Sequence, residues 1–131
     1  MSTVRRPTAA VSVDLSIPVQ ADLVVLARLT AATVAGRAGF GVEDIEDLRL
    51  AVEELCLSLV GSRDDGRLHL TYECEGDAIT VDCWYEMGDQ AVVKSDADDL
   101  SLRILDALVD EHGRDLQEGR PSAWLCKRKA G

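Results

Sequence analysis

Residues 68 to 85 constrain this chain most. Leu68, Leu70, Tyr72 and Cys74 hold alternate positions, Glu75-Gly76-Asp77 has the composition of a turn, and Ile79, Val81, Cys83 and Tyr85 alternate again. Successive strand side chains point to opposite faces, so each run presents one apolar face, and the turn folds the two runs antiparallel. A sheet with one apolar face must be covered, and the remaining sequence has to supply the cover.

Val11, Val13, Leu15 and Ile17 form one more apolar strand edge, which Pro18 ends. From Gln20 to Arg37 the positions Leu23, Leu26, Thr30 and Val34 recur at helical spacing, and Gly39 stands where a helix C-terminus favours glycine. Gly41 and the acidic Glu43, Asp44, Glu46 and Asp47 open a second helix, with Ile45, Leu48, Val52, Leu55 and Leu59 as its core stripe. Leu102, Leu105, Leu108 and Val109 predict a third, preceded by the polar and acidic run Ser95 to Asp99. After the turn signals Gly119 and Pro121, Trp124 and Cys126 predict a short last strand.

The expected order is therefore β-α-α-β-β-α-β. The fold class it implies is α+β, a two-layer sandwich with helices on one face of a mostly antiparallel sheet. With 131 residues, no repeat and no linker composition, the expectation is one domain over residues 11–128, with a flexible N-terminus over 1–10 and a tail at 129–131.

Charge bears on partners. A formal net charge of −10 repels phosphate backbones and anionic lipid headgroups, which argues against direct nucleic-acid binding and for either a basic protein partner or plain solubility. No apolar stretch follows Arg5 and Arg6, and Leu23 to Leu29 falls far short of the ~20 residues a membrane span needs. A cytoplasmic protein is the expectation. Cys56, Cys74, Cys83 and Cys126 form no C-x-x-C pair and have no histidine at a zinc-ligand interval, so they read as small reduced core residues, with redox sensing as the alternative. His69 and His112 have no ligand residues beside them in sequence, and Lys127-Arg128-Lys129 reads as a solvated basic tail.

The second helix carries the candidate chemistry. At about 100° per residue, Asp47, Ala51, Glu54 and Ser58 share a narrow stripe, flanked by Leu48 and Leu55 on one side and Leu50 and Leu57 on the other. A carboxylate with apolar neighbours on both sides is partly desolvated, which raises its pKa unless a donor meets it. Glu54 is thus either a general base or metal-water ligand, or a side chain whose stem covers apolar surface while its head reaches water.

The run Ile45-Glu46-Asp47-Leu48-Arg49-Leu50-Ala51-Val52-Glu53-Glu54-Leu55-Cys56 resembles the N-box helix of the GHKL ATPase superfamily, in the version found in RsbW-type anti-sigma factor serine kinases. Arg28-Leu29-Thr30 through Ala38-Gly39-Phe40 resembles that family's first helix and its Gly-aromatic turn. Leu100 to Glu111, ending Ala107-Leu108-Val109-Asp110-Glu111, resembles the helix after its glycine-rich lid. The resemblance implies a Bergerat-type sandwich, often a homodimer, that binds a sigma factor and uses ATP and magnesium to phosphorylate a serine of an anti-anti-sigma partner. It puts Glu54 in the place of the catalytic glutamate and Arg28 in that of a partner-contacting arginine, a solvated helix arginine being the alternative.

The departures from that pattern lie where nucleotide would bind. Ser58 replaces the asparagine that holds magnesium and offers a single hydroxyl oxygen. The adenine motif D-x-G has Glu86-Met87-Gly88 as its nearest match, yet alternation puts Tyr85 in line with Val81 and Cys83, so that Glu86 is expected to point away. In place of a glycine lid stands Asp96-Ala97-Asp98-Asp99-Leu100-Ser101, with no glycine between Asp89 and Gly113. Like charges at ~4 Å cost about 1 kcal/mol per pair in water and more near a protein surface, so this run suits a helix start better than a triphosphate. Three functions stay open: a partner-sequestering regulator with weak or absent turnover, an active serine kinase, and a scaffolding or dimerisation module.

Overall fold

The computed structural model describes residues 11–88 and 99–130. In chain order its elements are β1 (Val11–Pro18), α1 (Val24–Arg37), α2 (Val42–Val60), β2 (Arg67–Glu75), β3 (Ala78–Glu86), α3 (Asp99–Leu108), β4 (Glu111–Gln117) and β5 (Arg120–Arg128). The five strands form one sheet in the order β1-β2-β3-β5-β4, every neighbouring pair antiparallel. This is the expected α+β class, with one strand more than expected.

The hairpin forms where the alternation puts it. Leu70 faces Cys83 and Tyr72 faces Val81 across β2 and β3, while Leu15 on β1 and Leu125 on β5 continue the same inner face. Leu68, Leu70, Tyr72, Ile79, Val81, Tyr85 and Leu125 are buried there beneath α1 and α2. Tyr72 brings a hydroxyl into this core and donates it to the Ala27 carbonyl at 2.9 Å. An unmade bond at that depth would cost about 1–3 kcal/mol. Burial raises its phenol well above the ordinary range, so it stays a donor.

α2 follows its sequence closely. Gly41 caps it in an extended conformation, Glu43 and Asp44 sit in the first turn where the helix dipole favours them, and Leu48, Val52, Leu55 and Leu59 are buried. α1 differs from expectation. It begins at Val24 rather than Gln20, and its buried face is Val24, Ala27, Ala31, Val34 and Ala35, while Leu26 is exposed. Small alanines allow close approach to α2, and the larger leucines are displaced to the solvent side.

The C-terminal third departs most. The third helix stops at Leu108, and Glu111, expected at its end, begins β4. The chain leaves the helix because Asp110 is captured by β5: its N–H donates to the Cys126 carbonyl at 3.0 Å and its carboxylate accepts the Arg128 N–H at 2.7 Å. His112 accordingly lies in a strand, with Nε2 2.6 Å from Asp106. The last strand runs over nine residues rather than a short stretch, and Pro121 lies inside it, before the first residue that pairs with β3. Nor is the basic tail solvated throughout. Lys127 is buried, donates to the Leu108 carbonyl at 2.9 Å and lies 3.7 Å from Asp44 and 4.0 Å from Asp47, and Lys129 stands over the Phe40 ring. Residues 1–10 and the acidic run Asp96-Ala97-Asp98 lie outside the described residues.

Cys56, Cys74 and Cys83 are buried free thiols and Cys126 is half-buried. A hydrogen bond with Cys56, together with burial, pushes the Cys83 thiol up, which keeps it from being a reactive thiolate. Among the described residues no helix is long and apolar enough to cross a membrane.

Candidate functional site

The stripe of α2 forms the boundary between core and solvent. Ala51 is fully buried, Ser58 is 8% exposed, and Asp47 and Glu54 are half-buried. Leu48 and Leu55 on one flank belong to the core, whereas Leu50 and Leu57 on the other are exposed. A donor does meet Glu54. The Ser101 hydroxyl, in the first turn of α3, is hydrogen-bonded to Glu54 Oε2. Beside this contact Leu50, Glu53, Glu54, Ile104, Ala107 and Leu108 line an open, mostly apolar groove of about 460 Å³ between α2 and α3.

Ser58 lies one turn further along, with its hydroxyl turned back onto its own helix, donating to the Leu55 carbonyl at 2.8 Å. Arg114 of β4 donates to the Ser58 carbonyl at 3.2 Å and closes that side. Glu86, the last residue of β3, is on the other face of the sheet by alternation, and Gly88 lies beyond the strand's end against Asp65. Glu86 is exposed on the outer face, its Oε1 2.8 Å from His69 Nε2, and His69 stacks on Trp84 with ring centroids 4.1 Å apart. Arg120 covers Trp84 from 4.4 Å.

Tyr85 holds the inward position instead. Its hydroxyl donates to the Asp65 carbonyl at 2.8 Å, with Asp65 Oδ1 at 3.3 Å, and Arg63 stands over its ring. Burial pushes the Tyr85 phenol up, Arg63 works against this and the charge of Asp65 adds to it. The Asp65 side chain fills the space in front of Gly88, where an added Cβ would lie 2.3 Å from Asp65 Oδ2. Gly66 is equally confined: its φ is +83° and a Cβ there would lie 2.2 Å from the Glu86 carbonyl.

The residues matched to the ATP and magnesium positions therefore do not fit those ligands as a set. The Ser58 hydroxyl, matched by resemblance to the magnesium asparagine, is buried against its own helix, and the Glu86 carboxylate, matched to the adenine motif, is on the outer face of the sheet. Among the described residues no group of three or more His, Cys, Asp or Glu side chains comes together to hold a metal. Glu54 keeps a half-buried carboxylate on the groove between α2 and α3.

Arg28 lies at the junction of α1 and α2, its Nη1 2.8 Å from Glu53 Oε1. Val25, Leu26 and Leu29 are exposed on the same helix. Sequence reading misses Ser101, Asp65 and Lys127 as site residues. Each acts across the fold on a residue tens of positions away, and no local spacing rule links 54 with 101 or 65 with 85.

No protein-family model matches the chain. It is 44% identical over 72 residues to the serine-protein kinase RsbW of Bacillus cereus strain AH187, a match covering 53% of this chain and 45% of that protein. The serine-protein kinase RsbW of Bacillus thuringiensis strain Al Hakam is 44% identical over 48 residues, 37% of this chain and 30% of the relative. The chain thus spans less than half the length of the curated relatives it matches. The crystal structure of the RsbU and RsbW domains of Rv1364c from Mycobacterium tuberculosis superposes with a TM-score of 0.68 at 18% identity, covering 91% of this chain and 32% of that one. The sequence likeness over about half the chain and the shared fold agree with the motif reading: the chain is similar to RsbW serine-protein kinases over the matched segment and has the fold of an RsbW domain.

Proposed function

We propose that this chain is an anti-sigma factor, or a related partner-switching regulator, that sequesters a sigma factor by protein contact in the cytoplasm with weak or absent nucleotide turnover. An anti-anti-sigma protein would be the competing partner, and a homodimer the working form. The observation that carries the reading is the mismatch within one domain. The fold is shared with an RsbW domain, while the Ser58 hydroxyl bonds its own helix and Glu86 sits beside His69 on the outer face of the sheet. The surface offered for contact is the outer side of α1, where Val25, Leu26 and Leu29 are exposed and Arg28 lies at the margin. An acidic chain that displays apolar side chains beside an arginine suits a protein partner better than a polyanion.

Co-purification from the native extract tests this directly. A sigma factor should be retained by the wild-type chain and lost with Leu29→Asp, whereas Glu54→Ala should keep binding within a few-fold of wild type. Recovery of neither a sigma factor nor an anti-anti-sigma protein would replace the reading with a scaffolding or dimerisation module.

One observation favours a second reading, an active serine kinase: Glu54, which the resemblance matches to the catalytic glutamate, carries a serine hydroxyl. Calorimetric titration with ATP and magnesium separates the two, since binding at micromolar nucleotide supports the kinase and none at millimolar nucleotide supports the sequestering protein.

A further inference from the structure

Glu54, matched by resemblance to a catalytic glutamate, has its carboxylate engaged within the chain. Its partner is a serine hydroxyl of the chain itself, the same functional group that a protein serine kinase presents to its base. We propose that Ser101 is an internal occupant of Glu54, a latch that holds α3 shut on α2 and keeps an outside hydroxyl off the carboxylate. This rests on the placement of Glu54 at the glutamate position and is independent of which partner the chain holds.

The packing of α3 explains why one polar contact matters there. Eight residues of α2 are buried, but among the described side chains of α3 only Leu105 is. The open groove along Leu50, Ile104, Ala107 and Leu108 shows that the two helices meet without a sealed apolar seam. At its far end α3 is fixed by Lys127 on the Leu108 carbonyl, by Asp110 on β5 and by His112 on Asp106. At its near end the described tie to α2 is the bond from Ser101 to Glu54. A helix pinned at one end and tied by a hydrogen bond at the other opens at the tie first.

Backbone hydrogen exchange on the purified chain, read at the amides of Arg103 to Leu108, tests the latch without any partner. Ser101→Ala and Glu54→Ala should each accelerate exchange about tenfold, as loss of a charge-assisted hydrogen bond predicts. The double variant should exchange no faster than either single one, Ser101→Thr should stay near wild type, and millimolar ATP with magnesium should change none of these rates. Unchanged exchange in both single variants, or effects that multiply in the double variant, would overturn the proposal. So would protection of α3 by ATP and magnesium in the wild type, because nucleotide would then hold the helix. Failure of the sigma-factor co-purification leaves these rates untouched, so the two ideas fail separately.

Discussion

α2 and the end of β3 carry the two halves of the motif set that the resemblance implies, and they lie differently in the fold. On α2 the glutamate and serine keep the side of the helix that spacing assigns them, and Glu54 still faces across the groove toward α3. At the end of β3 the acidic residue, Glu86, stands on the outer face against His69, while Tyr85 faces in. Neighbouring positions on a helix differ by about 100°, whereas neighbouring positions on a strand differ by about 180°. A substitution on α2 therefore alters the group presented, and an offset of one residue on β3 removes it from the site entirely.

That contrast is open to test. If α2 is a scaffold with a working rim, its two flanks must respond unequally. Leu55→Ala should lower stability by about 2–5 kcal/mol in urea unfolding, while Leu50→Ala should stay within about 0.5 kcal/mol. Equal losses would mean that the exposed flank is also core. If the end of β3 is locked into its new arrangement by the loop before β2, Gly66→Ala should cost about 2–3 kcal/mol, since the residue needs a positive φ and abuts the Glu86 carbonyl. A silent substitution there would show that the loop and the strand end are independent. Tyr85→Phe removes the hydroxyl on Asp65 and should cost about 1 kcal/mol with little change in the far-ultraviolet circular dichroism.

The smallest effect concerns the outer face of β3. Burial, reinforced by nearby Glu73, raises the Asp82 carboxyl above its usual range. The folded state therefore prefers the protonated form, so the contribution is favourable below the unfolded pKa and is lost as pH rises through the folded value. Asp82→Asn should accordingly be the more stable protein at pH 7, by less than about 1 kcal/mol for so solvated a group, with the gap closing near pH 3. A variant less stable than wild type at pH 7 would mean that the charged form is the favoured one.

Much of this was legible from the residues. The hairpin, the core stripe of α2 and the inward turn of Tyr85 follow from periodicity, because each depends only on near neighbours. The buried face of α1 was less so: Leu26 matches the helical period as well as Ala27 does, and tertiary packing against α2 decides between them. β4 was missed because Glu111-His112-Gly113-Arg114-Asp115 has no apolar alternation. It becomes a strand by pairing with β5, a long-range event. The contact of Ser101 with Glu54 has the same character, since only the folded chain brings positions 47 residues apart into touch.

The place of β5 in the sheet has a consequence for biosynthesis. It leaves the ribosome after the other four strands of the sheet, yet it lies between β3 and β4. Until it emerges, β4 has no neighbour and β3 presents a bare edge beside its apolar face. Unpaired edges of this kind recruit other chains. Slowing translation ahead of residue 120 should therefore send more of the nascent protein into aggregates, and a chaperone that shields strand edges should rescue it.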